Sequence, residues 1–189
     1  MYRYQRRYCG RVQAVIFDWA GTTVDFGSIA PAAVFIEVFR RDGVDISMEE
    51  ARGPMGMHKR DHIRCILEKQ DVQQRWSKVH NRQPGEDDVQ RLYEEFIPLQ
   101  IECIGRHADP VPGCVETLSA LRQRSVKIGS NTGYSREMMD VLVPVAASKG
   151  FSPESVVCAS DVSSGRPAPW MCLENARQLD VYPMEAVVK

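Results

Sequence analysis

The sequence predicts an α/β protein, a doubly wound Rossmann-like parallel sheet carrying an inserted all-helical cap. A short apolar run, AVIF, ends on Asp18 and a polar GTT turn. Three further short apolar runs each follow a helical pattern, and the long interval 29–109 shows helical periodicity with no strand pattern.

The elements follow in order along the chain. Residues 13–17 include three apolar side chains in succession, Val15, Ile16 and Phe17, the pattern of a strand buried on both faces, and Asp18 falls at its carboxyl end. The helical interval is built from PAAVFIEVFRRDG, MGMHKRDHIRCILEK, VQQRWSKVHNR and DDVQRLYEEFIPLQIECI, broken by Gly43, Pro54 and QPGED. It is too long for an ordinary connection. We therefore expect a core segment at 1–27, a helical cap at 28–109 and a second core segment at 110–189, with linkers near 26–28 and 107–112. In that second segment VETLSALRQR is a helix, and VKIGS is a strand stopping at the polar turn NTGYS. SREMMDVLVPVAASKG is a helix with Ser135 as its expected N-cap and Gly150 as its stop. SVVCAS is a third strand, PWMCLENARQLD a helix and EAVVK a fourth strand. Ligands of such sheets bind at the carboxyl ends of the strands. Because the chain ends inside the last strand, the expectation is a fragment, incomplete at its C-terminus and inactive alone.

Composition narrows the class. The 189 residues are 43% hydrophobic and 26% charged with a net charge of -1, enough for one core plus an appended unit and too neutral for broad attraction to nucleic acid. Six scattered cysteines with no CxxC spacing read as reduced thiols. The basic, aromatic MYRYQRRYCGR lacks the apolar segment and cleavage site of a secretory signal. No apolar run reaches membrane-spanning length, and VLVPVAA contains Pro144. A cytoplasmic protein with no membrane partner is expected. Neither internal repeats nor low-complexity tracts occur.

A carboxylate at a strand end, followed by a tight turn with inward N–H groups, suits a nucleophile facing a phosphoryl anion. Asp18 and the turn residue Thr22 fit that pattern, although an aspartate there can equally cap a helix. Ser130 and Asn131, at the end of the second strand, would donate to phosphate oxygens from the same sheet edge. Arg166, before Pro167 in GRPAPW, would neutralise the same charge, or simply be solvated. Two residues after Asp18 stands Ala20, which has no acidic side chain.

Taken together, AVIFDWAGTTVD, ARGPMGMHKRDHIR, KIGSNTGYSREMMD and SSGRPAPWMC resemble the haloacid dehalogenase superfamily, and within it the phosphonoacetaldehyde hydrolases, or phosphonatases. The resemblance explains Ala20. Phosphatases of the superfamily carry a second aspartate there to protonate a departing alkoxide, whereas cleavage of a C–P bond releases a carbanion that needs an electron sink. An imine between a lysine and an aldehyde supplies one. The resemblance implies that Lys59, in PMGMHK, forms that imine and that His62, three residues on, relays protons. It implies that Met55 and Gly56 enter the site and that Tyr134 orders water or the aldehyde. It also implies Mg²⁺ held by Asp18, the Ala20 carbonyl and acidic residues beyond Lys189, together with a homodimer through the caps. Imine formation needs a neutral amine, so closure of the cap should lower the Lys59 pKa. Two rivals stay open: another capped phosphatase or dehalogenase of the superfamily that does not depend on Lys59, and an inactive form that only binds a phosphonate or a partner subunit.

Overall fold

The computed structural model describes residues 8–189, so most of the basic N-terminal stretch read in the sequence lies outside the described residues. Four parallel strands form one sheet in the order β3-β2-β1-β4. They are β1 (Ala14–Phe17), β2 (Lys127–Thr132), β3 (Ser155–Cys158) and β4 (Val187–Val188). β1 pairs with β2 from Ala14↔Lys127 to Phe17↔Ser130, and with β4 through Ala14↔Val187 and Val15↔Val188. The chain winds outward from β1 through β2 to β3, then crosses back to β4 on the other side of β1. That reversal puts a crevice at the carboxyl end of β1, where Asp18 begins the next turn.

Helices α6 (Cys114–Gln123), α7 (Arg136–Ser148) and α8 (Trp170–Gln178) connect the later strands where the sequence predicts them. Asn175 locks α8 onto β2. Its Oδ1 accepts from the Ser130 N–H at 3.1 Å, and its Nδ2 donates to the Ser130 carbonyl at 3.0 Å. Gly129 leaves room for this clamp, since a Cβ there would stand 2.6 Å from Asn175 Oδ1. Ser135 occupies the N-cap position of α7, but its side chain makes no cap hydrogen bond. Ser160 Oγ accepts from the Arg136 N–H instead, at 3.0 Å.

Between β1 and α6 run five helices: α1 (Ile29–Arg41), α2 (Met48–Arg52), α3 (Lys59–Leu67), α4 (Gln70–His80) and α5 (Glu86–Ile104). The sequence reading omits α2. The signal for it is SMEE, a capping box in which Ser47 Oγ accepts from the Glu50 N–H at 3.1 Å and the Glu50 carboxylate from the Ser47 N–H at 2.7 Å. The apolar stripes of these helices bury Phe35, Phe39, Ile63, Trp76, Leu92 and Phe96. Phe35 is central, with Phe96 stacked at 4.4 Å on one side and the His62 ring at 3.9 Å on the other. Phe35→Ala should therefore cost about 3–5 kcal/mol, measured as a drop in unfolding free energy in a urea titration.

The two linkers are paired. Val111 N–H donates to the Thr23 carbonyl at 2.8 Å and Asp25 N–H to the Asp109 carbonyl at 3.3 Å. Asp25, left-handed at φ 54°, caps α1 by accepting from the N–H groups of Ile29 and Ala30 at 3.0 and 3.1 Å. The entry into the helical segment and the return from it are thus one hydrogen-bonded strip, which brings α3 over the carboxyl edge of the sheet.

Candidate active site

Residues from three parts of the chain line a cavity of about 210 Å³: Asp18 and Ala20 after β1, Met55 and Gly56 from the loop before α3 with Lys59 at its first position, and Thr132, Gly133, Tyr134 and Arg166 from β2 onward. Asp18 stands at the carboxyl end of β1, and its turn is held by the Thr23 hydroxyl, which donates to the Asp18 carbonyl at 2.8 Å. Arg166 grips the Asp18 carboxylate with both terminal nitrogens, at 2.9 and 3.4 Å. The side chains are 28% and 27% exposed, so the pair is open to an incoming anion. A phosphoryl group meeting Asp18 meets a guanidinium at the same place.

Lys59 opens α3, the short helix whose start the sequence places in PMGMHK. It is 3% exposed, with its ammonium 4.9 Å from the centre of the Tyr134 ring and 5.6 Å from that of Phe35. Burial brings its pKa down to about 8, with Asp18 opposing the shift and Arg166 adding to it. A lysine in this setting is partly a neutral, nucleophilic amine near neutral pH. Gly56, at φ 95°, allows the loop before α3 to pass close to the guanidinium, for a Cβ there would lie 3.2 Å from Arg166 Nη1.

His62 is expected, from the resemblance, to relay protons three residues after Lys59 in the same helix. Its ring is fully buried and is not part of the cavity wall. Nε2 lies 2.9 Å from the Ala51 carbonyl, an acceptor only, so Nε2 carries the proton and Nδ1 is a bare buried acceptor with no partner. Burial first, then the Lys59 charge, push its pKa down to about 3, so the ring is neutral. The ring stacks on Phe35 at 3.9 Å between centroids.

Ser130, Asn131 and Thr22 also sit differently. β2 runs two residues past the predicted end at Ser130, so Ser130 is fully buried, its hydroxyl donating to the Ser155 carbonyl at 3.1 Å. Asn131 is buried too, its amide 3.4 Å from the Cys172 sulfur. Thr132, which the sequence reading misses, reaches the strand end and the cavity. Its Oγ1 accepts from the Tyr134 N–H at 3.1 Å, which leaves its own O–H as a donor. Thr22 is exposed and lines a separate cleft with Phe17, Thr117 and Leu118. No local signal marks Thr132 as the strand end, because Gly129, Ser130 and Asn131 all read as turn residues and only the pairing with β3, which runs to Thr132↔Cys158, extends the strand.

No group of three His, Cys, Asp or Glu gathers to hold a metal among the described residues. Cys65, Cys103, Cys114, Cys158 and Cys172 are thiols. No helix among the described residues is long and apolar enough to cross a membrane.

Comparison with known proteins matches this arrangement. A phosphonoacetaldehyde hydrolase of Syntrophobacter fumaroxidans is 50% identical over 182 residues, covering 96% of this chain and 66% of its own length. One from Bacillus cereus is 48% identical over 179 residues, covering 95% of this chain and 68% of its own. A bifunctional phosphonoacetaldehyde hydrolase/aminoethylphosphonate transaminase of Clostridioides difficile is 52% identical over 96% of this chain, which spans only 29% of it. The chain thus spans about two thirds or less of these relatives. The crystal structure of a phosphonoacetaldehyde hydrolase-like protein from Oleispira antarctica superposes with a TM-score of 0.93 at 37% identity, over 99% of this chain and 68% of that one. The description of a haloacid dehalogenase-like hydrolase fits residues 12–188, and the chain belongs to that family.

Proposed function

We propose that this chain carries the catalytic machinery for cleaving the C–P bond of phosphonoacetaldehyde to acetaldehyde and phosphate. One observation carries the reading: a buried lysine with a pKa near 8 shares a cavity with the Asp18 carboxylate, while Ala20 stands where an acid would serve an oxygen leaving group. The relatives' names point to the same substrate.

The helical segment 28–109 acts as a cap over the sheet edge. The neutral Lys59 amine adds to the aldehyde and loses water, giving an imine that is protonated at nitrogen. An Asp18 oxygen attacks phosphorus, the C–P bond breaks, and its electron pair moves into the imine to give an enamine. Protonation of the enamine carbon and hydrolysis release acetaldehyde and restore Lys59. Water then hydrolyses the aspartyl phosphate, releasing phosphate and restoring Asp18. One water is consumed overall. Arg166 and the Thr132 hydroxyl hold the phosphoryl oxygens, and the Tyr134 ring faces the lysine ammonium. His62, as a neutral ring, buttresses Phe35, whose ring lies 5.6 Å from the lysine ammonium.

Asp18 and the Ala20 carbonyl offer two hard oxygens beside the phosphoryl position, the donor type that Mg²⁺ takes together with phosphate oxygens and water. Bound there, Mg²⁺ would neutralise charge on the phosphoryl group. A homodimer through the cap and a cytoplasmic location complete the reading.

Borohydride added with phosphonoacetaldehyde should fix a two-carbon or phosphonoethyl adduct on the protein, mapped by peptide mass to Lys59. An adduct on a different lysine, or none in protein that turns over, would sink the imine route.

A further inference from the structure

At Gly133 the chain just past β2 meets the backbone of the loop before α3. A Cβ at this position would stand 2.4 Å from the Met57 carbonyl oxygen and 2.9 Å from that of Gly56. These contacts are closer than any side-chain carbon tolerates, and the obstructing atoms are main chain, which cannot rotate aside. Gly133 is not among the glycines with left-handed backbone, so its own conformation accepts alanine. The requirement for glycine therefore comes from across the seam. The next residue, Tyr134, is 2% exposed and faces the Lys59 ammonium, while Gly56 on the other side of the seam passes Arg166.

We propose that Gly133 is a positioning residue that sets how closely the cap seats on the core, and that this seating encloses Lys59 between the rings of Tyr134 and Phe35. It deepens the proposed function, resting on the reading of Lys59 as the working amine. With a methyl group at 133 the cap rides up at the seam, water reaches Lys59, and the desolvation that lowers its pKa is relieved. The charged and titratable groups around that amine are Asp18 and Arg166 from the core, and His58 and His62 from the cap, with the Tyr134 ring above it. All of them remain in Gly133→Ala.

The test uses the full chain and needs no phosphonoacetaldehyde. Formaldehyde with cyanoborohydride methylates neutral amines, and peptide mass reads the rate at Lys59 across pH 6–11, a range set around the shift from 10.5 to about 8. Wild type should label slowly with a midpoint near 8. Gly133→Ala should raise the high-pH rate about tenfold, the factor that 1.4 kcal/mol of lost seam packing gives, and move the midpoint toward 10.5. Gly105→Ala, with nothing within 4 Å of its Cβ, should label like wild type. An unchanged rate and midpoint in Gly133→Ala overturn the proposal. So does a Gly133→Ala protein that fails to fold, because the clash would then lie within a domain and not at the seam. A failed borohydride trap with phosphonoacetaldehyde would reject the imine while leaving the labelling result standing, so the two ideas fail separately.

Discussion

Asp18→Asn is expected to lower phosphate release by about 10⁴-fold or more while the protein stays folded, because the amide keeps the shape of the side chain and removes the attacking oxygen. The stability change should be within about 1 kcal/mol, since the carboxylate is 28% exposed and its pairing with Arg166 is partly screened. Measurement requires a form of the protein with demonstrable turnover, assayed for phosphate with Mg²⁺ present, alongside a thermal transition for each variant. A folded Asp18→Asn protein turning over at the wild-type rate would remove Asp18 from the mechanism.

Lys59→Met should show opposite effects on activity and stability. Turnover is expected to fall by about 10³-fold or more, because no other amine in the cavity can hold the aldehyde. Stability at pH 7 is expected to rise by up to about 3 kcal/mol, the cost of the pKa displacement from 10.5 to about 8. The sign follows from proton binding. Below pH 8 the lysine is charged in both folded and unfolded states, and the folded protein bears the whole cost of burying that charge. Between pH 8 and 10.5 the unfolded chain binds the extra proton, wild-type stability rises with pH, and the advantage of methionine shrinks toward zero. Urea titrations at pH 7 and pH 10 read both limits. A methionine variant less stable than wild type at pH 7 would mean that Lys59 is not held against a desolvation cost. Such a trade of stability for function is common where a charged group must be kept reactive.

Much of the fold was legible in the chain because its signals are local. Val15, Ile16 and Phe17 in succession mark a strand buried on both faces, and helical periodicity between 29 and 109 excludes strands there. The absence of an acid at Ala20 and the lysine in PMGMHK were likewise visible as residue types. Misreadings arose where a local signal was ambiguous or overlooked. A strand ending at Ser130 would put Ser130 and Asn131 in the cavity, whereas β2 runs on to Thr132 and holds both of them inside the sheet. The Ser47 capping box went unread, and α2 with it.

The sequence by itself determined the alternation of strands and helices, the carboxylate at the end of β1 and the presence of a lysine at the head of a helix. Only the tertiary structure decided that Lys59 and Asp18 share one cavity, that His62 is a neutral buried ring, that Thr22 faces a different cleft and that Gly133 meets the Met57 carbonyl. The physical reason is range. Strand and helix patterns come from neighbours a few positions apart, whereas desolvation, ion pairing and backbone clash depend on distances between atoms dozens of residues apart in sequence, which the packing of the helical segment onto the sheet alone fixes.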